Sequence, residues 1–259
     1  MQIRPPAVAG VFYPDEPAAL ERLVDRLLDD NPHRGQAPRA LVVPHAGLVY
    51  SGPVAAHAYS LLRPWCNRYD RVLLLGPNHR VPLAAMAVPT AERFSCPLGE
   101  MALDTDQIER WVAQGLLQYD DEPHRLEHCL EVQLPFLLRL KTDWTLIPVV
   151  VGQVETEAVA RLVGEGLDSP RTLVLISSDL SHYHGYDTAR RIDNVTSRRI
   201  EGLQPSLSPE LACGCYALNG LLYAAARRGL HVERLDLRNS GDTAGPRDQV
   251  VGYGAYSVH

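Results

Sequence analysis

Lysine is almost missing from this chain: Lys141 is the only one, so nearly all of its 25 basic residues are arginine. Against 31 acidic residues and a formal charge of -6, no basic stripe forms of the kind that phosphate-backbone binding needs, which argues against nucleic acid as a partner. No apolar run approaches the roughly 18 residues of a membrane helix. The opening MQIRPPAVAGVFYPDEP lacks a charged stretch followed by an apolar one, so a cytoplasmic protein without a membrane span is expected. Cys66, Cys96, Cys129, Cys213 and Cys215 form an odd, scattered set without a CxxC pair, which argues against a disulfide framework. Repeats, low-complexity tracts and linkers are also absent. Hydrophobic residues at 46% and charged residues at 22% are close to globular averages, and 259 residues are read as a single domain over 1–259.

What is present is an alternation of short apolar strands and amphipathic helices. Leu20, Leu23, Val24, Leu27 and Leu28 have helical spacing over 15–29, with Asp15 as the expected N-cap. Strands are expected at 40–43, 71–75, 144–151 and 172–176, separated by helices at 52–62, 105–114, 155–167, 187–201 and 220–228. EVQLPFLLRL reads as a helix with Pro135 in its first turn. Segment 86–88 reads as a strand in an antiparallel section, and strands at 231–237 and 250–258 close the chain. The order predicts an α/β fold with a mostly parallel sheet covered on both faces and an added antiparallel strand.

Several strands end in chemistry. ALVVPHAG delivers His45, VLLLGPNHR delivers His79, and TLVLISSDLSHYH delivers Asp179, His182 and His184, whereas TLIPVVVGQ carries no such group. One histidine in such a place is most often a loop imidazole bonded to backbone. Three strand exits, at the edge where open α/β sheets bind ligands, predict a shared site for metal binding, proton transfer or both. Two imidazoles need a third ligand, and Glu131, Asp179, Asp104 and Cys213 are the candidates. Cys213 stands at the expected start of a helix, whose dipole would favour its thiolate. The competing chemistry is a thiol nucleophile, Cys213 or Cys215, with His182 as base and Asp179 as orienter. A Gly-rich phosphate cradle is weaker, because GEGLDS does not follow a strand and GYGAY closes the chain.

PAVAGVFYP, VVPHAGLVYSG, LLGPNH, EHCLEVQLPFL, IPVVVG, SSDLSHY, ACGCYALNGLL and DQVVGYGAYSV occur in order across nearly the whole chain. Together they resemble the Memo family, known in prokaryotes as the B component of the AmmeMemoRadiSam system. That family is similar to the LigB-type class III extradiol dioxygenases, which implies a three-layer α/β/α domain with a central mixed, mostly parallel sheet. Carried onto this chain, the resemblance implies a metal held by His45, His79 and Cys213, with His182 as the acid/base. Cysteine stands where those dioxygenases have a glutamate, which favours Fe(II), Cu or Zn over harder ions and puts ring cleavage in doubt.

Asp179 is expected to orient an imidazole, and His128 and Glu131, at i and i+3, to face one side of a helix start near metal or substrate. Cys215 is read as an alternative ligand or an oxidative partner of Cys213. Tyr50, Asn78 and Tyr183 are pocket-lining candidates. The implied cofactor is non-heme Fe(II), with Cu or Zn as alternatives, and the implied activity is metal-dependent oxidation of an unknown small organic substrate. The resemblance also implies radical-SAM and AMMECR-domain partners. The rival reading is a non-catalytic binding or scaffold module that uses the same cleft for a peptide or protein, with Arg71, Arg80, Arg93 and Arg125 as dispersed basic contributors.

Overall fold

The computed structural model describes residues 2–32 and 34–259. Along the chain run β1 (Ile3–Arg4), α1 (Pro17–Asp30), β2 (Ala40–Val43), α2 (Leu48–Leu62), β3 (Arg71–Pro77), β4 (Met86–Val88), β5 (Arg93–Cys96), β6 (Gly99–Ala102), α3 (Thr105–Ala113), β7 (Gln118–Tyr119) and α4 (Glu122–Arg125). The second half has α5 (Leu134–Leu140), β8 (Thr145–Val151), α6 (Thr156–Asp168), β9 (Thr172–Ser177), β10 (His182–His184), α7 (Tyr186–Glu201), α8 (Cys215–Ala226), β11 (Val232–Asn239) and β12 (Val250–Val258).

The main sheet runs β10-β12-β2-β9-β3-β8-β4-β7, with β11 also paired to β12. Its four central strands, β2, β9, β3 and β8, are mutually parallel and mostly apolar, as continuous runs such as LVLI predict, with buried Ser177 at the end of β9. Both margins turn antiparallel, β12 against β2 on one side and β4 against β8 on the other, which makes the sheet mixed. A small second sheet, β1-β5-β6, carries the N-terminus.

The crossover from β2 through α2 to β3 and that from β8 through α6 to β9 run in opposite directions along the sheet. Right-handed connections therefore put α2 and α6 on opposite faces. Helix α8 packs on α6, while α1 and α5 pack on α2. The result is helix, sheet, helix, with β9 and β3 at the point where the connections diverge. That is where α/β sheets open a crevice at the carboxyl ends of their strands.

Local differences from the expected elements have simple causes. Glu16, not Asp15, caps α1, accepting from the backbone N–H of Ala18 at 3.0 Å and of Ala19 at 2.6 Å. Helix α2 begins at Leu48 and carries Pro53 inside it, because burial of Leu48, Val54, Ala55 and Tyr59 outweighs one missing N–H. Helix α8 begins at Cys215, so the run from Cys215 to Asn219 is helical as well. Pro135 sits in the first turn of α5, where its absent N–H costs nothing. No described helix is long and apolar enough to cross a membrane.

Candidate metal centre

His45 leaves β2, His79 leaves β3, and Ser177 to His182 leave β9, so the three central exits meet in one cleft of about 680 Å³. The cleft is also lined by His128, Asp179, Cys213, Phe12 and Tyr253. The rings of His45 and His79 lie 5.3 Å apart, those of His45 and His128 5.4 Å, and those of His79 and His128 4.8 Å and stacked. One nitrogen from each of the three rings falls within 4.8 Å of the others. His128, expected near metal or substrate, is thus the third member of one candidate donor cluster; His79, Glu127 and Cys129 form another among the described residues.

The hydrogen bonds behind the rings decide which nitrogens are free. Ser177 Oγ donates its only hydrogen to Cys129 O at 2.7 Å and accepts from Gln133 Nε2 at 3.0 Å. It must therefore also accept from His45 Nδ1, at 2.9 Å, which leaves the lone pair of that ring on Nε2. Gln133 is itself fixed, donating to Pro44 O at 3.0 Å and accepting from Tyr59 Oη at 2.8 Å. His79 Nδ1 donates to Glu127 Oε1 at 2.9 Å, so its Nε2 is likewise the free donor atom. Orienting partners of this kind are what metal-ligating imidazoles characteristically have.

Glu127 is the central orienting group. Its Oε2 accepts from His79 N at 2.7 Å, and its Oε1 accepts from His128 N at 2.9 Å and Cys129 N at 3.0 Å as well as from His79 Nδ1. Burial alone would raise its pKa, but the hydrogen bond from His79 and the neighbouring imidazoles hold the carboxyl far below the usual range. His128 Nδ1 is buried and lacks a hydrogen-bond partner, although Glu127 Oε1 is 3.2 Å away out of line. Burial and the other two rings push His128 down to about 4, and burial pushes His45 well below its ordinary value, so both rings are neutral near pH 7.

Cys213 Sγ lies 3.3 Å from His45 Nε2 and accepts from Asp179 N, also at 3.3 Å. The chain reaches this place because Gly214 has no Cβ, which would stand 2.7 Å from Ser178 Cβ. The expected thiolate-favouring effect of the helix start is overridden: burial, and then the nearby Asp179, push the thiol strongly up in the protein alone. Asp179 is buried, accepts from His45 N at 2.7 Å, and is itself raised by burial. It fixes the backbone of His45 rather than its ring, because Oδ2 is 3.9 Å from Nε2.

His182 also lines the cleft, half-buried, in β10, paired with Val251 of β12. Its backbone is steadied through Ser181, whose N–H donates to buried Asp193 Oδ1 at 3.0 Å. Tyr183, next to it, is 71% exposed with φ at +60°, a left-handed conformation that side chains rarely adopt.

Other expected residues lie elsewhere. Glu131 is not in the cleft: fully buried, it accepts from Arg4, from Ala7 N at 2.7 Å, from Val8 N at 3.0 Å and from Tyr13 Oη at 2.5 Å. It faces away from His128 because residues 126–130 form no regular helix, and the i,i+3 argument assumed one. Asp104 caps α3 and pairs with Arg71 at 2.8 Å. Cys215 is buried in the first turn of α8 and lines neither the cleft nor the cavity beyond it. Tyr50 and Tyr183 do line the cleft, while Asn78 lines a neighbouring cavity. Sequence reasoning missed Glu127, Ser177 and Gln133, although they stand inside the quoted EHC, SSD and EVQ; position in those motifs was their only local signal.

A family model described as Memo-like protein matches residues 4–257. The chain is 36% identical to a MEMO1 family protein of Aquifex aeolicus, with 98% of each chain covered, and 33% identical to one of Methanosarcina mazei, with 100% of each covered. Its fold resembles that of an uncharacterized protein, JW3007, from Escherichia coli K12, with a TM-score of 0.53 at 11% identity, covering 86% of this chain and 100% of that one.

Proposed function

This chain belongs to the Memo family, and from that premise we propose that it binds a transition metal through His45, His79 and Cys213, joined by His128, and acts as a metal-dependent oxidoreductase on a small organic molecule. The observation that carries this reading is the convergence of three imidazole nitrogens within 4.8 Å of one another. The donor chemistry fits such an ion: imidazole with a thiolate suits Fe(II), our first expectation, or Cu or Zn, and suits Mg or Ca poorly. The partnerless buried Nδ1 of His128 fits as well, since a buried polar atom without a partner is costly unless something binds it.

When bound, the ion would supply a Lewis-acidic, redox-capable centre. The rest falls to the chain's own residues. Glu127 and Ser177 hold the His79 and His45 rings with Nε2 toward the cleft. Phe12, 4.6 Å from the His128 ring, covers one side of the cluster and excludes water there. His182, lining the same cleft, gives a proton to or takes one from the substrate at a ring nitrogen.

The test is to purify the protein anaerobically and measure bound Fe, Cu and Zn for the parent and for His45→Ala, His128→Ala and Cys213→Ala. Loss of stoichiometric metal in these variants supports the reading, and unchanged metal in all three defeats it. His182→Gln should keep the metal and lose O2 consumption with phenolic substrates.

A second reading, a binding module for a peptide or protein, is favoured by exposed apolar side chains at the cleft, Tyr50 at 39% and Tyr183 at 71%, with exposed Val11 and Val49 next in sequence to the lining residues Phe12 and Tyr50. A basic patch does not support it, because Arg71, Arg93 and Arg125 pair with Asp104, Glu100 and Glu122, and Arg80 donates to Leu126 O. Metal binding without O2 consumption, together with co-purification of radical-SAM or AMMECR-domain proteins, would favour it.

A further inference from the structure

Beyond Cys213 a second cavity opens, of about 590 Å³. It lies at the ends of β3 and β8, and Cys213 and Pro209 line both it and the metal cleft, so the two spaces share one wall. Their chemistry differs sharply. The metal cleft is lined by four histidines and an aspartate, whereas among the described residues no charged side chain and no histidine lines the second cavity. Its surface is Pro77, Val81, Pro82, Leu83, Val151 and Ala217, with a few uncharged polar groups.

Several polar groups of this wall are already paired. Asn78 Nδ2 donates to Val81 O, closing its own loop. Gly152 N donates to Ala85 O at 2.9 Å and Gln153 N to Leu83 O at 2.8 Å, so the backbone of that wall is satisfied. The loop over 81–85 is seated tightly, since a Cβ at residue 152 would stand 2.2 Å from Leu83 O. The cavity is therefore a formed, uncharged and mainly apolar surface, with the Gln153 amide and the Tyr216 hydroxyl on its wall, in the size range of small-molecule sites.

We propose that the second cavity is the specificity subsite: it receives an uncharged aliphatic or aromatic arm of a molecule whose polar head meets the imidazole cluster past Cys213. The substrate class is then a two-part molecule, a hydroxylated or carbonyl-bearing head on an apolar tail. This rests on the proposed metal centre for the head group only; the tail pocket stands on its own lining.

The test uses para-alkylphenols from methyl to butyl as probes, titrated calorimetrically into the full-length protein, both metal-loaded and stripped with chelator. Burial of each added methylene should tighten binding about fourfold, so that butyl exceeds methyl by roughly 60-fold. Ala84→Trp, at the exposed rim of the cavity, should cut that butyl-to-methyl ratio to a few-fold, and Pro82→Glu, which brings a charge to the apolar wall, should do the same. A cooperative urea transition confirms that each variant is folded. A parent without chain-length gain, or a gain that survives both variants, overturns the proposal. Because the ratio is read in stripped protein too, a protein that binds no metal would still show whether the tail pocket selects for chain length.

Discussion

Replacing Glu131 by glutamine should destabilise the whole protein and loosen the cleft, although Glu131 touches neither metal donors nor substrate space. Its two oxygens serve four donors, Arg4 and Ala7 N on Oε2, Val8 N and Tyr13 Oη on Oε1. A glutamine has one oxygen, so whichever way it turns, its NH2 group faces two of those donors. Losing two charge-assisted bonds costs about 3–6 kcal/mol, and leaving buried Arg4 without its counter-charge costs about 3–5 kcal/mol. The two figures count the same atoms, so the expected loss is about 4 kcal/mol. At an unfolding entropy of roughly 2.1 cal/mol/K per residue over 259 residues, that lowers the melting temperature by about 7 °C.

The structural consequence is local as well. Arg4 also donates to His124 O at 3.0 Å and to Glu127 O at 2.5 Å, so it ties the loop that carries Glu127 and His128 to the N-terminal arm. Calorimetric melting of chelator-treated protein reads the stability, and limited proteolysis reads the release of residues 5–13. Tyr13→Phe, which removes one donor and leaves the carboxylate, should cost only about 1–2 kcal/mol. A Glu131→Gln variant within 1 °C of the parent and equally resistant to protease would refute this account of the buried cluster.

Ser177→Ala removes the acceptor that fixes the His45 tautomer, and should weaken metal binding about 10- to 100-fold; a chelator-competition titration that finds the parent affinity would contradict it. His124 is 2% exposed, donates Nε2–H to Ala87 O at 3.0 Å, and is pushed down to about 4, chiefly by burial. The unfolded chain takes up this proton near pH 6.5 and the folded chain only near pH 4, so stability falls as pH drops through that window, by at most about 3 kcal/mol for this residue. His124→Gln should flatten the urea midpoint between pH 6.5 and pH 4 relative to the parent, and an unchanged pH slope would rule out the assignment.

Much of the fold was legible because apolar runs with turn signals at their ends are local information. ALVV, VLLL and TLVLI announce β2, β3 and β9, and the histidines at their exits announce the crevice. The antiparallel margins were less visible, since pairing direction is decided by which strands meet and not by their composition. The site was read one layer deep: His45, His79, His182 and Cys213 line one cleft, whatever each does there. Glu127, Ser177 and Gln133 were hidden because their role is to face those residues, a relation that exists only after folding. Glu131 was misplaced for the converse reason, since a spacing argument assumes a helix that the backbone at 126–130 does not form.

The wide spacing of the cluster along the chain has a consequence for assembly. His45, His79, His128 and Cys213 come from four separate stretches and share a cleft only when the sheet, the 126–130 loop and the start of α8 are all in place. Residues 45–128 supply three of the four, but β9, which lies between β2 and β3 in the sheet, comes later in the chain, so the spacing of His45 from His79 waits for it. A ligand bound there would stabilise the complete fold by about 2.7 kcal/mol when free ligand is 100 times its Kd. Occupancy of the cleft would then slow proteolysis of the molecule as a whole rather than of one segment.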